Sequence, residues 1–392
     1  MNAPAHPRLI FHALWLSLGA ATALGLARFA YALLLPSMKT SLGWTFAQAG
    51  GMNSANAAGY LLGALVSNGV ITRWTPRQAY VLASVITAVS LSASGGFSEY
   101  WMLLALRGLG GLSSAVLFIA GGVLGAQLAS HDRSRSGLLL GLYYGGVGIG
   151  LMASGVCLPW LLESALRDQW RWAWGILGGL SLLPAVFALR FRLPGLEGVR
   201  KTGSVRTLGI RRLSLAMISY GFFGAGYIGY MTFVITALRE AGAVRWEFVS
   251  AFWGLLGLAT FLSSWVWAGL IERSNSGRGL SLLLLITGLG AAIPVVTRHP
   301  WAMLVSAMVF GIAFLSVVAA TTSLVRKALP SDLWPRGIAA FTLLFALGQV
   351  AGPMVSGRVL DVSHSSSAGL GVSVILIGLA ALMATLQPKV GP

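Results

Sequence analysis

One pattern governs the chain: an apolar run of about twenty residues or more, then a short polar or proline-containing break. A helix that crosses a bilayer needs about 20 such residues, and in lipid a spanning segment must satisfy its own backbone hydrogen bonds. Runs of this kind fall at residues 10–35, 44–70, 78–97, 100–125, 137–162, 171–190, 213–238, 247–271, 279–297, 301–325, 337–359 and 368–387. The expectation is an all-α membrane protein with twelve transmembrane helices. The faintest break is GGFSE at 95–99, where Glu99 marks the turn. Composition agrees: only 9% of the 392 residues are charged, against roughly 25% in a soluble domain.

A net charge of +17 would suggest nucleic acid if it formed a stripe on a soluble surface. Here the basic residues fall in the gaps between apolar runs, so they report topology instead. With the N-terminus inside, eighteen Lys and Arg lie in inner segments and seven in outer ones; Arg28 and Arg107 are the other two of 27. The positive-inside rule then puts both termini in the cytoplasm. The first run is too long for a secretory h-region of about 7 to 15 residues and carries Arg28, so it is expected to be retained. The expected location is a bacterial inner membrane. The longest polar connection, residues 190–212, splits the runs six and six. This predicts an N-terminal bundle over 1–192, a cytoplasmic linker over 193–212 and a C-terminal bundle over 213–392. WRWAW at 170–174 reads as an interfacial aromatic anchor.

The halves also resemble each other. GLARFAY at 25–31 aligns with GAGYIGY at 224–230, pairing Arg28 with Tyr227 and Tyr31 with Tyr230. GLMASG at 150–155 likewise matches GPMVSG at 352–357. Internal repeats of this kind are a building principle of transporters.

On these features the chain resembles the major facilitator superfamily. RGLGG at 107–111 is similar to the superfamily's Arg-x-x-x-Gly motif, and ARFAYALLLP at 27–36, AGGMNSANAAGYLLGAL at 49–65 and GYIGYMTF at 226–233 resemble its YbfB/YjiJ-like branch. There are departures. The loop between spans two and three reads GVITRWTPRQ, with Arg73 where the superfamily has an aspartate and Arg77 close by; the matching loop of the second half keeps Glu272 and Arg273 at altered spacing. These four are the candidate gating residues. The Gly-x-x-x-Gly-Pro pattern of antiporters appears in span five as GLYYGG, without its proline.

Charges inside a membrane are costly and by default functional. Arg28 and Arg107 both sit about seven residues from the outer ends of their spans, roughly 10 Å deep at about 1.5 Å per residue. Spans one and four line the central cavity in the superfamily, so the resemblance implies that the two arginines converge there. With no carboxylate inside any span, an anion held by bidentate hydrogen bonds would supply the counter-charge. The alternative is that each arginine binds helix carbonyls. Asn53, Asn56 and Tyr60 share one face of span two, as a cavity wall or as interhelical glue. Tyr31, Tyr143, Tyr144, Tyr227 and Tyr230 offer hydroxyls and ring faces, and Gln349, Thr321 and Thr322 are weaker candidates.

The five histidines lie at termini or span ends, and the lone Cys157 lies in an apolar run, so neither a metal site nor a catalytic base is assembled. No enzyme and no cofactor is expected. The function expected is a monomeric secondary transporter of a small, anionic, carboxylate-type substrate by alternating access. A coupled proton would ride on the substrate or on an end group such as Asp361. The alternatives are an efflux pump for neutral or acidic compounds and a non-transporting sensor.

Overall fold

The computed structural model describes residues 6–164, 168–190, 210–240, 245–330 and 333–390. The predicted linker lies outside these as far as residue 209, as do Arg167, Arg192, Arg200, Lys201 and Arg206. Every regular element among the described residues is helical. In order they are α1 (His6–Ala20), a π-helical stretch (Ala21–Phe29), α2 (Tyr31–Leu42), α3 (Phe46–Arg73), α4 (Pro76–Ser94), α5 (Tyr100–Ser130), α6 (Ser136–Cys157), α7 (Pro159–Leu162), α8 (Gln169–Leu180), α9 (Leu183–Arg190), α10 (Ser214–Glu240), α11 (Trp246–Val266), α12 (Ala268–Arg273), α13 (Gly277–Val296), α14 (Pro300–Ala328), α15 (Trp334–Ser363) and α16 (Ser366–Thr385), with short 3₁₀ turns at Arg133–Arg135 and Ile210–Leu213.

Ten helices among the described residues are long and apolar enough to cross a membrane. The sequence suggests twelve; α3 and α4 form where spans two and three are expected but are not among the ten. Polar content separates them. Helix α3 carries Gln48, Asn53, Asn56 and Asn68, and α4 carries Arg77, Gln78 and five Ser or Thr residues. The turn at Glu99 is where the sequence puts it: α4 ends at Ser94 and Glu99 is the N-cap of α5. Helix α4 opens on a capping box in which Thr75 and Gln78 satisfy each other's backbone N–H groups, with Pro76 following the cap.

The chain divides into two compact units, one of Met1–Gly43 and Ala55–Val199, the other of Trp44–Ser54 and Arg200–Pro392. The first turns of α3 thus belong with the second unit, and the rest with the first. Within the first unit the π-helical rod packs on α6, and α4 packs on α5 and α8. Within the second, α10 packs on α15 and α16, and α13 and α11 pack on α14.

Glycine sets these distances, since lipid gives helices little hydrophobic reason to associate and close backbone approach supplies the attraction. A Cβ at Gly59 would overlap the carbonyl of Gly108, and one at Gly25 would stand 2.6 Å from Gly150 Cα. In the second unit Gly348 and Gly352 lie in the same way against the carbonyls of Gly221 and Ala225. Gly59→Leu is expected to destabilise by about 1–3 kcal/mol through overpacking, read as a lower thermal unfolding midpoint of the purified protein. Gly175→Ala on α8, whose added Cβ would meet nothing within 4 Å, should shift stability by no more than about 0.5 kcal/mol.

Candidate substrate-binding site

The first long rod is not a plain α-helix. Over Ala21–Phe29 it loosens into π-helical winding, and the N–H of Ala30 reaches back five residues to the Gly25 carbonyl at 2.9 Å. Such insertions are rare and frequently mark functional sites. The small residues Ala21 and Gly25, which lie against Gly150, let α6 approach the rod closely. Arg28 sits in the last turn of this stretch, only 3% exposed.

From there a chain of polar contacts runs across three helices. Arg28 Nε donates to Asn56 Oδ1 at 3.1 Å, and Asn56 Nδ2 donates to the carbonyl of Arg107 at 3.3 Å. The Arg28 guanidinium lies over the ring of Tyr60, 4.6 Å from its centroid. Asn56 and Tyr60 are four residues apart and so share one face of α3. Asn56 reaches α5 because the backbones nearly touch: a Cβ at Gly111 would overlap the Asn56 carbonyl.

Arg107, 2% exposed, completes the cluster from α5. Its Nη1 donates to the Ala27 carbonyl at 2.6 Å, so its charged end lies beside the residue that precedes Arg28. Its guanidinium also faces the rings of Tyr31 at 5.0 Å and Trp174 at 5.3 Å, and those two rings stack on each other. Each ring face is worth about 0.5–2 kcal/mol to a cation, more as water is removed. The amide, carbonyls and rings that meet the two guanidiniums are all neutral. The helices that supply them, with residues 8–42, 46–73, 100–130 and 169–190, contain no Asp or Glu. Arg107 therefore does bind a carbonyl of the irregular helix, as the alternative reading supposes, and none of the groups named around it carries a negative charge.

Two sequence readings need revision. WRWAW at 170–174 has the pattern of an interfacial anchor, yet Trp170 and Trp174 are fully buried and only Trp172 is exposed. The four-residue spacing of Trp170 and Trp174 is the available signal, since it sets both on one helix face. Asn53, which spacing groups with Asn56 and Tyr60, instead donates to Thr232 Oγ1 at 2.8 Å, and both of these residues belong to the second unit.

The remaining candidates lie elsewhere. Tyr143 donates to the Phe118 carbonyl at 2.6 Å and packs on Gly121 and Gly125, whereas Tyr144 is exposed. Phe118 is eleven residues beyond Arg107 on α5, about 16 Å along the helix. In the second unit Gln349 Nε2 donates to the Tyr227 hydroxyl, inside a stack of Phe223, Tyr227, Phe314 and Phe345 rings. Tyr230 stacks on Phe310 and shares a hydrogen bond with Ser306 at 2.8 Å. Thr321 and Thr322 bond back to the Val318 carbonyl. Asp361 accepts from the N–H groups of Phe46 and Ala47, at 2.7 and 2.9 Å.

Among the expected gating residues, Arg77 is committed to the carbonyls of Ala188 and Leu189 at the end of α9. Arg73, Glu272 and Arg273 have exposed side chains. Lys327 holds that second loop by donating to the carbonyls of Ile271, Glu272 and Ser274.

A multi-helical membrane chain with a buried, cationic polar cluster and a repeated glycine-packed architecture has the attributes of a membrane transporter, and comparison with known proteins agrees. The model of the family described as "Uncharacterised MFS-type transporter YbfB" matches residues 20–385, and the chain belongs to that family. It is a multi-pass membrane protein of a transporter family, not an enzyme. It is 27% identical over 384 residues to the inner membrane transport protein YdhP of Escherichia coli K12, covering 94% of each chain. It is 26% identical to a chloramphenicol resistance protein of Streptomyces lividans, covering 95% of each. The nucleoside transporter NupG shares the fold with a TM-score of 0.71 at 15% identity, over 97% of this chain and 98% of that one.

Asn56→Ala removes the acceptor of Arg28 and a donor to α5 together. A loss of about 1–3 kcal/mol is expected, measured as a lower thermal unfolding midpoint and larger than that of Asn68→Ala at the exposed end of the same helix.

Proposed function

We propose that the protein is a secondary active transporter of a small organic anion of the carboxylate type, with Arg28 and Arg107 as the groups that hold the anion. The observation that carries this reading is two buried guanidiniums, that of Arg28 bonded to Asn56 and that of Arg107 to the Ala27 carbonyl, on helices with no acidic residue. Arginine keeps its proton at any physiological pH, so the cluster stays cationic and favours an anion over a cation. A planar carboxylate matches the fork of each guanidinium, and the rings of Tyr31, Tyr60 and Trp174 suit a carbon skeleton beside it. Gln349, Tyr227 and Tyr230 are the second unit's candidates for contact with the rest of the substrate.

In this reading α3 and α4 also cross the bilayer, giving twelve spans in bundles of residues 1–192 and 213–392 joined by a cytoplasmic linker over 193–212. Both termini lie in the cytoplasm and the protein works as a monomer in the inner membrane, the location given in the name of YdhP. Transport proceeds by alternating access, with the loops that carry Arg73, Arg77, Glu272 and Arg273 at the inner gate. A second reading, efflux of neutral or acidic drug-like compounds, draws on the chloramphenicol resistance relative. The arginine cluster favours the acidic members of that set.

The test is a thermal-shift screen of purified protein against mono- and dicarboxylates, aromatic acids, phosphorylated metabolites and chloramphenicol. A carboxylate should stabilise the wild type, and Arg28→Ala or Arg107→Ala should weaken its binding about ten- to hundredfold, the worth of a charge-assisted hydrogen bond of about 1.5–3 kcal/mol. Lysine at either position should rescue in part, restoring charge without the fork. Equal stabilisation of wild type and both alanine variants by the same compound would overturn the site.

A further inference from the structure

A second cationic feature lies far from the Arg28–Arg107 cluster, at the other end of the first unit. A groove of about 560 Å³ runs along the outside of α4 and α9, with Trp74 and Arg77 at its mouth and Val81, Leu82, Val85 and Leu189 along its floor. Arg77, Val81 and Val85 recur at four-residue spacing, so they line one face of α4. Leu82, Val85 and Leu189 are exposed apolar side chains, and Trp74 is exposed at the helix end, as an indole ring that favours the headgroup level would be.

Arg77 uses Nε and Nη2 to hold the terminal carbonyls of α9, and Nη1 takes no part in those bonds. Arg73, the last residue of α3, and Arg190, the last of α9, are both exposed. Among the described residues no carboxylate pairs with any of the three. Arg77 and Trp74 line the trough, and Arg73 and Arg190 follow in the chain beside its lining residues Trp74 and Leu189; such a set matches an amphiphile with an anionic head and a hydrocarbon tail. Basic sites of this kind between helix ends take anionic headgroups.

The geometry points to a binding site for an anionic phospholipid, its phosphate at Arg73, Arg77 and Arg190 and one acyl chain along Val81, Leu82, Val85 and Leu189. A soluble anion would gain nothing from the trough, and a zwitterionic lipid would bring its own cation to a site that is already positive.

The test is titration of the purified full chain with phosphatidylglycerol or phosphatidylcholine, with bound lipids counted by native mass spectrometry. Phosphatidylglycerol should be retained preferentially, and glycerol phosphate at equal concentration should not displace it. Arg73→Gln and Arg190→Gln, which break no bond among the described residues, should each weaken retention about fivefold. Val85→Trp should weaken it by filling the trough while leaving every charge in place. Equal retention of the two lipids, displacement by glycerol phosphate, or binding unchanged in the arginine variants or in Val85→Trp would overturn the assignment.

Discussion

A guanidinium in an apolar interior must have its hydrogens engaged, and the centre of the first unit is organised round that requirement. Arg28 and Arg107 are answered by an amide, a carbonyl and three ring faces, contributed by three segments, the first rod, α3 and α8. Each answer depends on close packing. Asn56 meets α5 only because Gly59 and Gly111 let the backbones approach, and α6 lies against the π-helical turn only because Gly25 and Gly150 face each other. A side chain added at Gly59 or Gly111 would move Asn56 relative to α5 as well as strain the helices.

The internal repeat shows which part of this arrangement is architecture and which is specialisation. YWMLLALRGLGG at 100–111 corresponds to PWAMLVSAMVFG at 300–311, and Gly111 and Gly311 lie against the backbone of matching residues, Asn56 and Leu256. A serine bond is kept in both halves with its direction reversed, Ser90 to the Leu106 carbonyl and Ser306 to the Gly290 carbonyl. The polar triad is not kept: Ala307 stands at the position of Arg107, Leu256 at that of Asn56 and Tyr227 at that of Arg28. The second unit fills the matching positions with stacked rings around Tyr227.

Much of the fold is legible in the sequence because the bilayer imposes a length and a polarity on each helix. The breaks at Glu99 and at residues 190–212 follow from that rule. The hydropathy of α3 and α4 follows it less well, because their polar residues serve neighbours inside the protein rather than lipid. Within the site, Arg28 and Arg107 stand out as isolated charges in apolar runs. Trp174 does not, because an aromatic near a span end satisfies the interfacial pattern as well as it satisfies a buried one. Asn53 and Asn56 are indistinguishable by spacing, yet they bond to Thr232 and Arg28 respectively.

The sequence by itself determined a helical membrane chain, with two arginines isolated in apolar runs and no carboxylate within those runs. Those are properties of composition and spacing, which lipid reads directly. Only the tertiary structure decided that Asn56 joins the two arginines, that Trp174 and Tyr31 lie over Arg107, and that the helix around Arg28 loosens into a π turn. These depend on which helix faces come within hydrogen-bonding reach, and that is set by glycine contacts between segments far apart in the chain.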